Sequence, residues 1–124
     1  MEMKLELVPI PVTDVDRAKA FYTDQVGFNA DHDHQLGPEV RFVQLTPPGS
    51  ACSIAIGKGI TDAPPGSARG MILVVSDIDA TRAELVQRGL EISEAQDMEW
   101  GARHASFNDP DGNRWELQQP RRRA

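Results

Sequence analysis

The sequence has little of what would indicate an exported, membrane-embedded or nucleic-acid-binding protein. It contains one cysteine, Cys52, so no disulfide can form within the chain and nothing indicates an oxidising compartment. No apolar run approaches the ~20 residues required to span a bilayer. The acidic, alternating start of the chain does not resemble a secretory signal. The formal net charge of -6 disfavours nucleic acid and anionic membrane surfaces as partners. We therefore expect a soluble, cytoplasmic protein.

The composition itself is that of an ordinary globular domain. The chain has 124 residues, of which 40% are hydrophobic and 26% are charged, and this length suffices for one compact domain with its own core. Three consecutive arginines, residues 121–123, stand near the end of the chain. We expect residues 120–124 to be a frayed, solvated tail, with a weak anion-binding patch as the alternative.

The chain repeats itself at a fixed spacing. The motif Val-Thr-Asp-Val-Asp at positions 12–16 recurs as Val-Ser-Asp-Ile-Asp at positions 75–79, which is 63 residues later. The turn Thr-Pro-Pro-Gly-Ser at 46–50 matches Asp-Pro-Asp-Gly-Asn at 109–113 with the same spacing. Two matches at one offset indicate two copies of one structural unit. Because each half is short for a domain, we expect the halves to share one core.

Each copy begins with the signals of one amphipathic helix. Thr13 and Ser76 are predicted N-caps, with an aspartate three residues later in each copy as in a capping box. Apolar side chains then follow at helical spacing, and glycines at 27 and 89 are predicted to end the two helices.

The remaining segments are predicted to be strands. Residues 5–12 contain two prolines and suit an edge strand or a bulge, whereas the continuous apolar run 70–75 predicts a strand buried on both faces. The other predicted strands are 28–34, 40–46, 51–57, 90–97, 102–108 and 113–119. The sequence thus predicts a single α+β domain of two tandem β-α-β-β-β modules, about 1–57 and 70–119, joined by a linker at about 58–69. We expect their curved mixed sheets to surround a shared cavity.

Two stretches resemble a known superfamily. Residues 12–22 (Val-Thr-Asp-Val-Asp-Arg-Ala-Lys-Ala-Phe-Tyr), followed by Val26-Gly27-Phe28, are similar to the opening helix of the vicinal oxygen chelate proteins. Residues 107–117 look like the closing hairpin of the same superfamily, which includes glyoxalases, bleomycin-resistance proteins and extradiol dioxygenases. The resemblance implies a homodimer. It does not choose among the activities, because members include both enzymes and metal-free drug-binding proteins.

The resemblance also identifies where a metal would be held. Enzymes of the superfamily bind one divalent metal through side chains on the first and last strands of each module, which correspond here to Leu7, Ser53, Gly70 and Glu116. Only Glu116 is a competent ligand, so we expect no metal and no other cofactor. The alternative is one weakly bound divalent metal on His104 and Glu116. His32 and His34, two residues apart on a predicted strand, are a further candidate pair or a polar strand end.

Strand alternation predicts a binding cavity with a mixed lining. Side chains that do not face the helices should line it, and Trp100 lies in a loop beside its mouth, where it either stacks on a flat ligand or covers core surface. The predicted ligand-binding residues are Leu7, Phe42, Gln44, Ser53, Gly70, Trp100, His104, Ser106, Arg114 and Glu116. A few polar groups in an apolar concavity are typical of a small-molecule site.

Three functions remain open at this point. The first hypothesis is a metal-free protein that binds and sequesters a small hydrophobic or aromatic molecule. The second is a lyase, isomerase or dioxygenase-type enzyme in which Glu116 and His104 transfer protons as catalytic residues. The third is a structural or regulatory partner whose cavity is vestigial.

Overall fold

The computed structural model describes residues 1–121 and confirms an α+β fold of two similar modules. The last two arginines of the predicted frayed tail, at 122 and 123, lie outside the described residues. Within residues 1–121, neither helix is long and apolar enough to cross a membrane.

The first module forms a four-stranded sheet with one helix. Its elements are β1 (Leu7–Pro9), α1 (Val15–Ala20) with a π-helical continuation (Phe21–Gln25), β2 (Asn29–Gln35), β3 (Arg41–Thr46) and β4 (Ser53–Lys58). The strand order is β1-β4-β3-β2, with β1 parallel to β4 and the other pairs antiparallel. The predicted edge position of the first strand is therefore confirmed.

The second module repeats this plan. Its elements are β5 (Met71–Val74), α2 (Ile78–Gln87), β6 (Gln96–Asp97), β7 (Arg103–Asn108) and β8 (Arg114–Gln119). The strand order is β5-β8-β7-β6, again with the first strand at an edge and parallel to the last. The two helices begin at positions 15 and 78, so the 63-residue spacing of the sequence repeat is kept in the structure.

The predicted helix caps are wrong by one residue. The N-caps are Asp14 and Asp77, whose carboxylates accept a hydrogen bond from the backbone N–H three residues on. Thr13, the predicted cap of α1, instead donates its hydroxyl to Asp111 in the second module at 2.6 Å. The acidic residues expected to complete the capping boxes form ion pairs with arginines of β3 and β7. Aspartate caps a helix as well as serine or threonine, so the adjacent pairs were ambiguous.

Two strand predictions also need correction. The segment 70–75 was expected to be buried on both faces, but β5 pairs only with β8 and lies at the edge of its sheet. Ile72 and Val74 are consequently 49% and 66% exposed. The strand predicted at 90–97 is reduced to the two residues of β6, because the chain before it packs Leu90 into the core without forming a ladder.

One hydrophobic core joins the two modules. Tyr22 on the π-helical turn packs against Phe28 of its own module and Trp115 of β8, with ring centroids 5.6 and 5.8 Å away. Its hydroxyl donates to Asp109 Oδ2 at 2.7 Å and accepts from Trp115 Nε1 at 3.0 Å. Burial, together with the nearby carboxylate of Asp109, raises the pKa of Tyr22, so the phenol stays neutral. The helix of the first module therefore packs on the sheet of the second.

The turn between β7 and β8 fastens the modules at a second place. The buried side chain of Asn113 donates to the carbonyl of Pro11 at 2.8 Å and accepts from the backbone N–H of Ala68 at 3.0 Å. The linker and the first module thus both form hydrogen bonds with this turn. Since both sheets direct one side toward the shared core, the opposite side of each sheet is left facing outward.

Candidate functional site

The predicted site residues lie on the two sheet faces that point away from the core. We call these the first outer face and the second outer face. Strand register places on the first outer face Leu7, His32, His34, Phe42, Gln44, Thr46 and Ser53. It places on the second outer face Ile72, Val74, His104, Ser106, Arg114, Glu116 and Gln118. Gly70 directly precedes β5 at the border of the second face.

A chain of polar groups crosses the first outer face. Ser53, opposite Leu7 in the register, has its hydroxyl 2.6 Å from that of Thr46 and 3.4 Å from the amide of Gln44. The Thr46 hydroxyl donates to Asp31, and this hydrogen bond, with a second from Asn29, lowers the pKa of the Asp31 carboxyl. Ser53 is almost fully buried, and its hydroxyl is engaged by the side chains of Thr46 and Gln44.

An imidazole pair borders the first outer face. His32 and His34 lie on the same side of β2, opposite Gln44 and Phe42 respectively, as their spacing predicts. Their rings stack with centroids 5.6 Å apart and an interplanar angle of 23°. The backbone pairing of His34 with Phe42 brings a third aromatic residue next to this pair.

The second outer face contains a compact acid–imidazole–amide cluster. His104 on β7 has Nδ1 3.1 Å from Glu116 Oε2 and Nε2 2.9 Å from Gln118 Oε1, both on β8. Arg114 Nη2 lies 3.8 Å from the other Glu116 oxygen, and Ser106 faces Glu116 across the strand pair. This cluster offers a ligand both hydrogen-bond donors and acceptors beside the apolar side chains of β5.

Trp100 stands at the margin of this cluster. Its indole is 55% exposed and meets the His104 ring edge-on, with centroids 5.6 Å apart. It packs on the polar cluster and is not among the core residues. An exposed indole fixed beside hydrogen-bonding groups is suited to stacking on a flat molecule.

The structure brings the predicted residues together in two groups. The first group, on the first outer face, comprises Leu7, Phe42, Gln44 and Ser53. The second, on or beside the second outer face, comprises Gly70, Trp100, His104, Ser106, Arg114 and Glu116. Within residues 1–121, no hydrogen bond or strand pairing joins the two groups, because the modules contact each other through their core-facing sides.

The residues at the metal-binding positions do not fit the metal of the superfamily's enzymes. Leu7 has no donor atom, Gly70 has no side chain, and the Ser53 hydroxyl is engaged by Thr46. Glu116 is the single carboxylate among the four, and its neighbour His104 already bonds to it. Within residues 1–121, no cluster of three or more His, Cys, Asp or Glu side chains could hold a metal ion. We derive no chemistry through such an ion.

A groove of about 520 Å³ lies where sequence reasoning placed no site. It runs beside the outer edge of β5, and its walls include Phe28, Pro48, Ile72, Val74, Glu84 and Arg88. We call it the edge groove. The apolar run of β5 is the sequence signal for this groove, but the same run also predicts a strand that is buried on both faces. Gln118 and Thr46 were likewise absent from the predicted ligand set, although alternation places them on the outer faces.

Comparison with known proteins agrees with this architecture. The sequence profile of the Glyoxalase/Bleomycin resistance protein/Dioxygenase superfamily matches residues 4–117. The chain is 30% identical over 115 residues to the uncharacterized protein YetH of Bacillus subtilis strain 168, covering 91% of this chain and 95% of that one.

Solved structures extend the likeness to three dimensions. TnmS3, an antibiotic binding protein from Streptomyces sp. CB03234, is 39% identical with a TM-score of 0.84, covering 96% of this chain and 97% of its own. A superfamily member from Sphaerobacter thermophilus DSM 20745 is 33% identical with a TM-score of 0.81, covering 96% and 98%. The protein therefore belongs to the glyoxalase/bleomycin resistance protein/dioxygenase superfamily.

Proposed function

We propose that the protein binds a small hydrophobic or aromatic molecule on its outer faces and sequesters it without changing it. The observation that carries the proposal is the second outer face, where His104, Glu116 and Gln118 form one hydrogen-bonded cluster beside exposed Ile72 and Val74. Fixed polar groups next to apolar surface give a ligand orientation as well as affinity. The likeness to an antibiotic binding protein supports this ligand class.

The groups on the two faces define the chemistry of the molecule. Trp100 and the imidazole pair offer flat surfaces for stacking, and Leu7 and Phe42 offer apolar contact. Glu116 accepts a hydrogen bond, and Arg114 donates one. A planar, largely apolar molecule with a few hydroxyl or carbonyl groups at its rim matches this arrangement.

The same residues support binding without a metal. Three of the four positions that hold the metal in the superfamily's enzymes have no usable ligand here, so a substrate cannot be activated by chelation in the usual way. The polar and aromatic side chains on the outer faces can still bind a molecule by hydrogen bonding and stacking. The alternative of a weak metal on His104 and Glu116 would require breaking their 3.1 Å contact.

We further propose that the protein binds its ligand as a homodimer. The two groups of site residues face away from the shared core of one chain, so a single copy offers two half-sites. In a homodimer, the first outer face of one copy can oppose the second outer face of the other. Such a pairing would enclose a ligand that each half-site covers only in part.

Native mass spectrometry of the purified protein tests the proposal. Spectra are recorded before and after addition of nickel, zinc, manganese and iron(II). We expect no stoichiometric metal adduct, and an organic mass if the ligand co-purifies. One metal per chain would overturn the metal-free proposal and would favour an enzyme.

Titration with a panel of planar aromatic antibiotics, followed by calorimetry, measures the binding directly. We expect Trp100→Ala to weaken binding at least about fivefold, because a stacked indole contributes about 1 kcal/mol or more. Trp100→Phe should retain most of the affinity, since it keeps a stacking ring. Val86→Ala, which truncates an exposed apolar side chain on α2, is the matched control. Equal affinities for all four proteins would remove Trp100 from the site.

The contact between His104 and Glu116 favours a second candidate, an enzyme that transfers protons between substrate atoms. A carboxylate held 3.1 Å from an imidazole is an arrangement used in general acid–base catalysis. Candidate substrates are tested for lyase, isomerase or dioxygenase turnover. If Glu116→Gln abolishes a turnover that the exposed-site control Glu94→Gln retains, this candidate replaces the first.

A further inference from the structure

We propose that Asp31 sets the direction of the hydrogen bonds on the first outer face, so that Gln44 presents its carbonyl oxygen to the bound molecule. The edge of the ligand that lies on this face then carries a hydrogen-bond donor, a hydroxyl or N–H group, and not a carbonyl or ether oxygen. This inference deepens the proposed function and rests on it for the presence of a ligand. The direction of the hydrogen bonds themselves does not depend on any ligand.

A β-bulge turns the Asp31 side chain onto the first outer face. On β2 the register passes from the pair of Ala30 with Leu45 directly to the pair of His32 with Gln44, so Asp31 is the extra residue of the bulge. Strict alternation from His32 would turn Asp31 toward the helices. The bulge instead brings its carboxylate to the hydroxyl at the end of β3. Bulges re-aim side chains in this way and are common beside functional sites.

The carboxylate of Asp31 fixes the start of a polar relay, which runs from Asp31 through Thr46 and Ser53 to Gln44. The Thr46 hydroxyl donates to Asp31 Oδ2, and Asn29 Nδ2 donates to Oδ1 at 2.7 Å. The bond from Thr46, and then that from Asn29, lowers the pKa of the Asp31 carboxyl, so it stays ionised at neutral pH and can only accept. The single hydroxyl proton of Thr46 is therefore committed to Asp31.

This commitment determines the next two bonds of the polar relay. Ser53 Oγ lies 2.6 Å from Thr46 Oγ1, and a hydrogen bond between two hydroxyls requires one proton. Because the proton of Thr46 is already used, Ser53 supplies it. The Ser53 oxygen then has only lone pairs to offer Gln44, so the amide nitrogen of Gln44 donates to it at 3.4 Å.

Gln44 consequently directs its carbonyl oxygen away from Ser53. The amide nitrogen is held beside the buried serine, so the oxygen is the part of the half-buried amide that faces the open surface. Within residues 1–121, no group donates a hydrogen bond to this oxygen. A ligand hydroxyl or N–H placed here completes the relay, whereas a ligand oxygen without a proton would meet another acceptor. A site built to pair with a donor discriminates against an analogue that lacks it.

Replacing Asp31 by asparagine tests the origin of this direction, because the new amide can donate as well as accept. In Asp31→Asn the whole relay can run in reverse, starting from the new amide N–H and ending at the carbonyl oxygen of Gln44. The nitrogen of Gln44 would then face the ligand. Asp33→Asn is the matched control, since this second carboxylate of β2 bonds to Lys19 and Arg41 instead.

Calorimetry with β-naphthol and its methyl ether measures the preference. The two probes share one planar ring system, and only the naphthol can donate a hydrogen bond. We expect wild type and Asp33→Asn to bind the naphthol at least about fivefold more tightly than the ether. Asp31→Asn should bring the two affinities together or reverse their order, and Gln44→Leu should bring them together. Circular dichroism checks that each variant is folded. Equal affinities in wild type, or a preference that Asp31→Asn leaves unchanged, would overturn the proposal.

Neutron diffraction from crystals of the perdeuterated protein locates the protons without a ligand. We expect the deuteron of Ser53 to point to Thr46, and the nitrogen of Gln44 to face Ser53. The carbonyl oxygen of Gln44 facing Ser53 would overturn the proposal. The expected direction in a protein that binds neither probe would retain the role of Asp31 and reject the ligand class of the proposed function. Binding of both probes with the opposite direction would reject the role of Asp31 and retain the ligand class.

Discussion

Tyr22 shows how much can depend on a single hydroxyl. It lies on the π-helical turn of the first module, yet its two hydrogen-bond partners, Asp109 and Trp115, belong to the second. Trp115 is buried and donates its indole N–H to no other acceptor in residues 1–121. The phenol hydroxyl therefore forms hydrogen bonds between the two modules inside an otherwise apolar contact.

Replacing this phenol tests how much these hydrogen bonds stabilise the fold. We expect Tyr22→Phe to lower the free energy of unfolding by about 1–3 kcal/mol, because the indole N–H is left unsatisfied in the core. Urea denaturation measures the loss. Thr23→Val removes a hydroxyl from the next residue, where it bonds only to its own helix and its neighbour, and should cost less. Equal losses would mean that the module contact does not depend on the phenol.

Among the elements, α1 is tied to its own sheet by charge as well as by packing. Asp33 on β2 accepts from Lys19 of α1 at 2.8 Å and from Arg41 of β3 at 3.0 and 2.9 Å. Arg41 also pairs with Asp16 at 2.7 Å. The hydrogen bonds from Arg41, and then those from Lys19, hold the pKa of Asp33 well below its usual range.

This network predicts a pH-dependent stability. Because the folded-state pKa of Asp33 is depressed, its contribution is complete above the unfolded pKa of about 3.9 and is lost as the pH falls below that value. Asp33→Asn should cost about 1 kcal/mol at neutral pH, since the pairs are only partly buried. At pH 3 the difference in the free energy of unfolding between wild type and variant, measured by urea denaturation, should be smaller than at neutral pH. Asp62→Asn, at an exposed position in the linker, should show no such change.

Strand pairing was predictable at this scale because side chains alternate along each strand. The period of two placed His104 and Glu116 on one face, and the turn at 109–113 set β7 against β8, so their contact followed from the sequence. The edge position of β5 could not be predicted from the sequence, since an apolar run is compatible with both a central strand and an edge strand. Alternation also predicted which side chains turn away from the helices, but not that the two outer faces remain separate within one chain, because that depends on how the modules dock.

At the scale of the whole molecule, the linker packs closely against the turn between β7 and β8, which we call the closing turn. Gly66 has φ +80, and a Cβ at this position would come within 2.2 Å of the Asp111 carbonyl oxygen. Its backbone N–H also donates to Pro11 at 3.3 Å. The close approach of these backbones fixes where the second module begins relative to the first.

Alanine substitutions measure this fit. Gly66→Ala should lower the free energy of unfolding by more than Gly49→Ala, because Gly49 has a similar φ of +77 but no atom within 4 Å of the added carbon. Left-handed backbone costs both variants about 1–2 kcal/mol, and the clash should add about 1–3 kcal/mol for Gly66 alone. Thermal or urea unfolding compares them. Similar losses would show that the linker can move aside freely.

The closing turn also determines when this protein can become native during synthesis. Thr13 and Pro11 bond to Asp111 and Asn113, so partners 98 and 102 residues apart must meet. During synthesis Tyr22 and Phe28 of the first module emerge well before Asp109 and Trp115, the residues of the second module that cover them. Contacts this distant in sequence form slowly. The first module therefore keeps this aromatic surface uncovered until residues 109–115 of the second module have been synthesised.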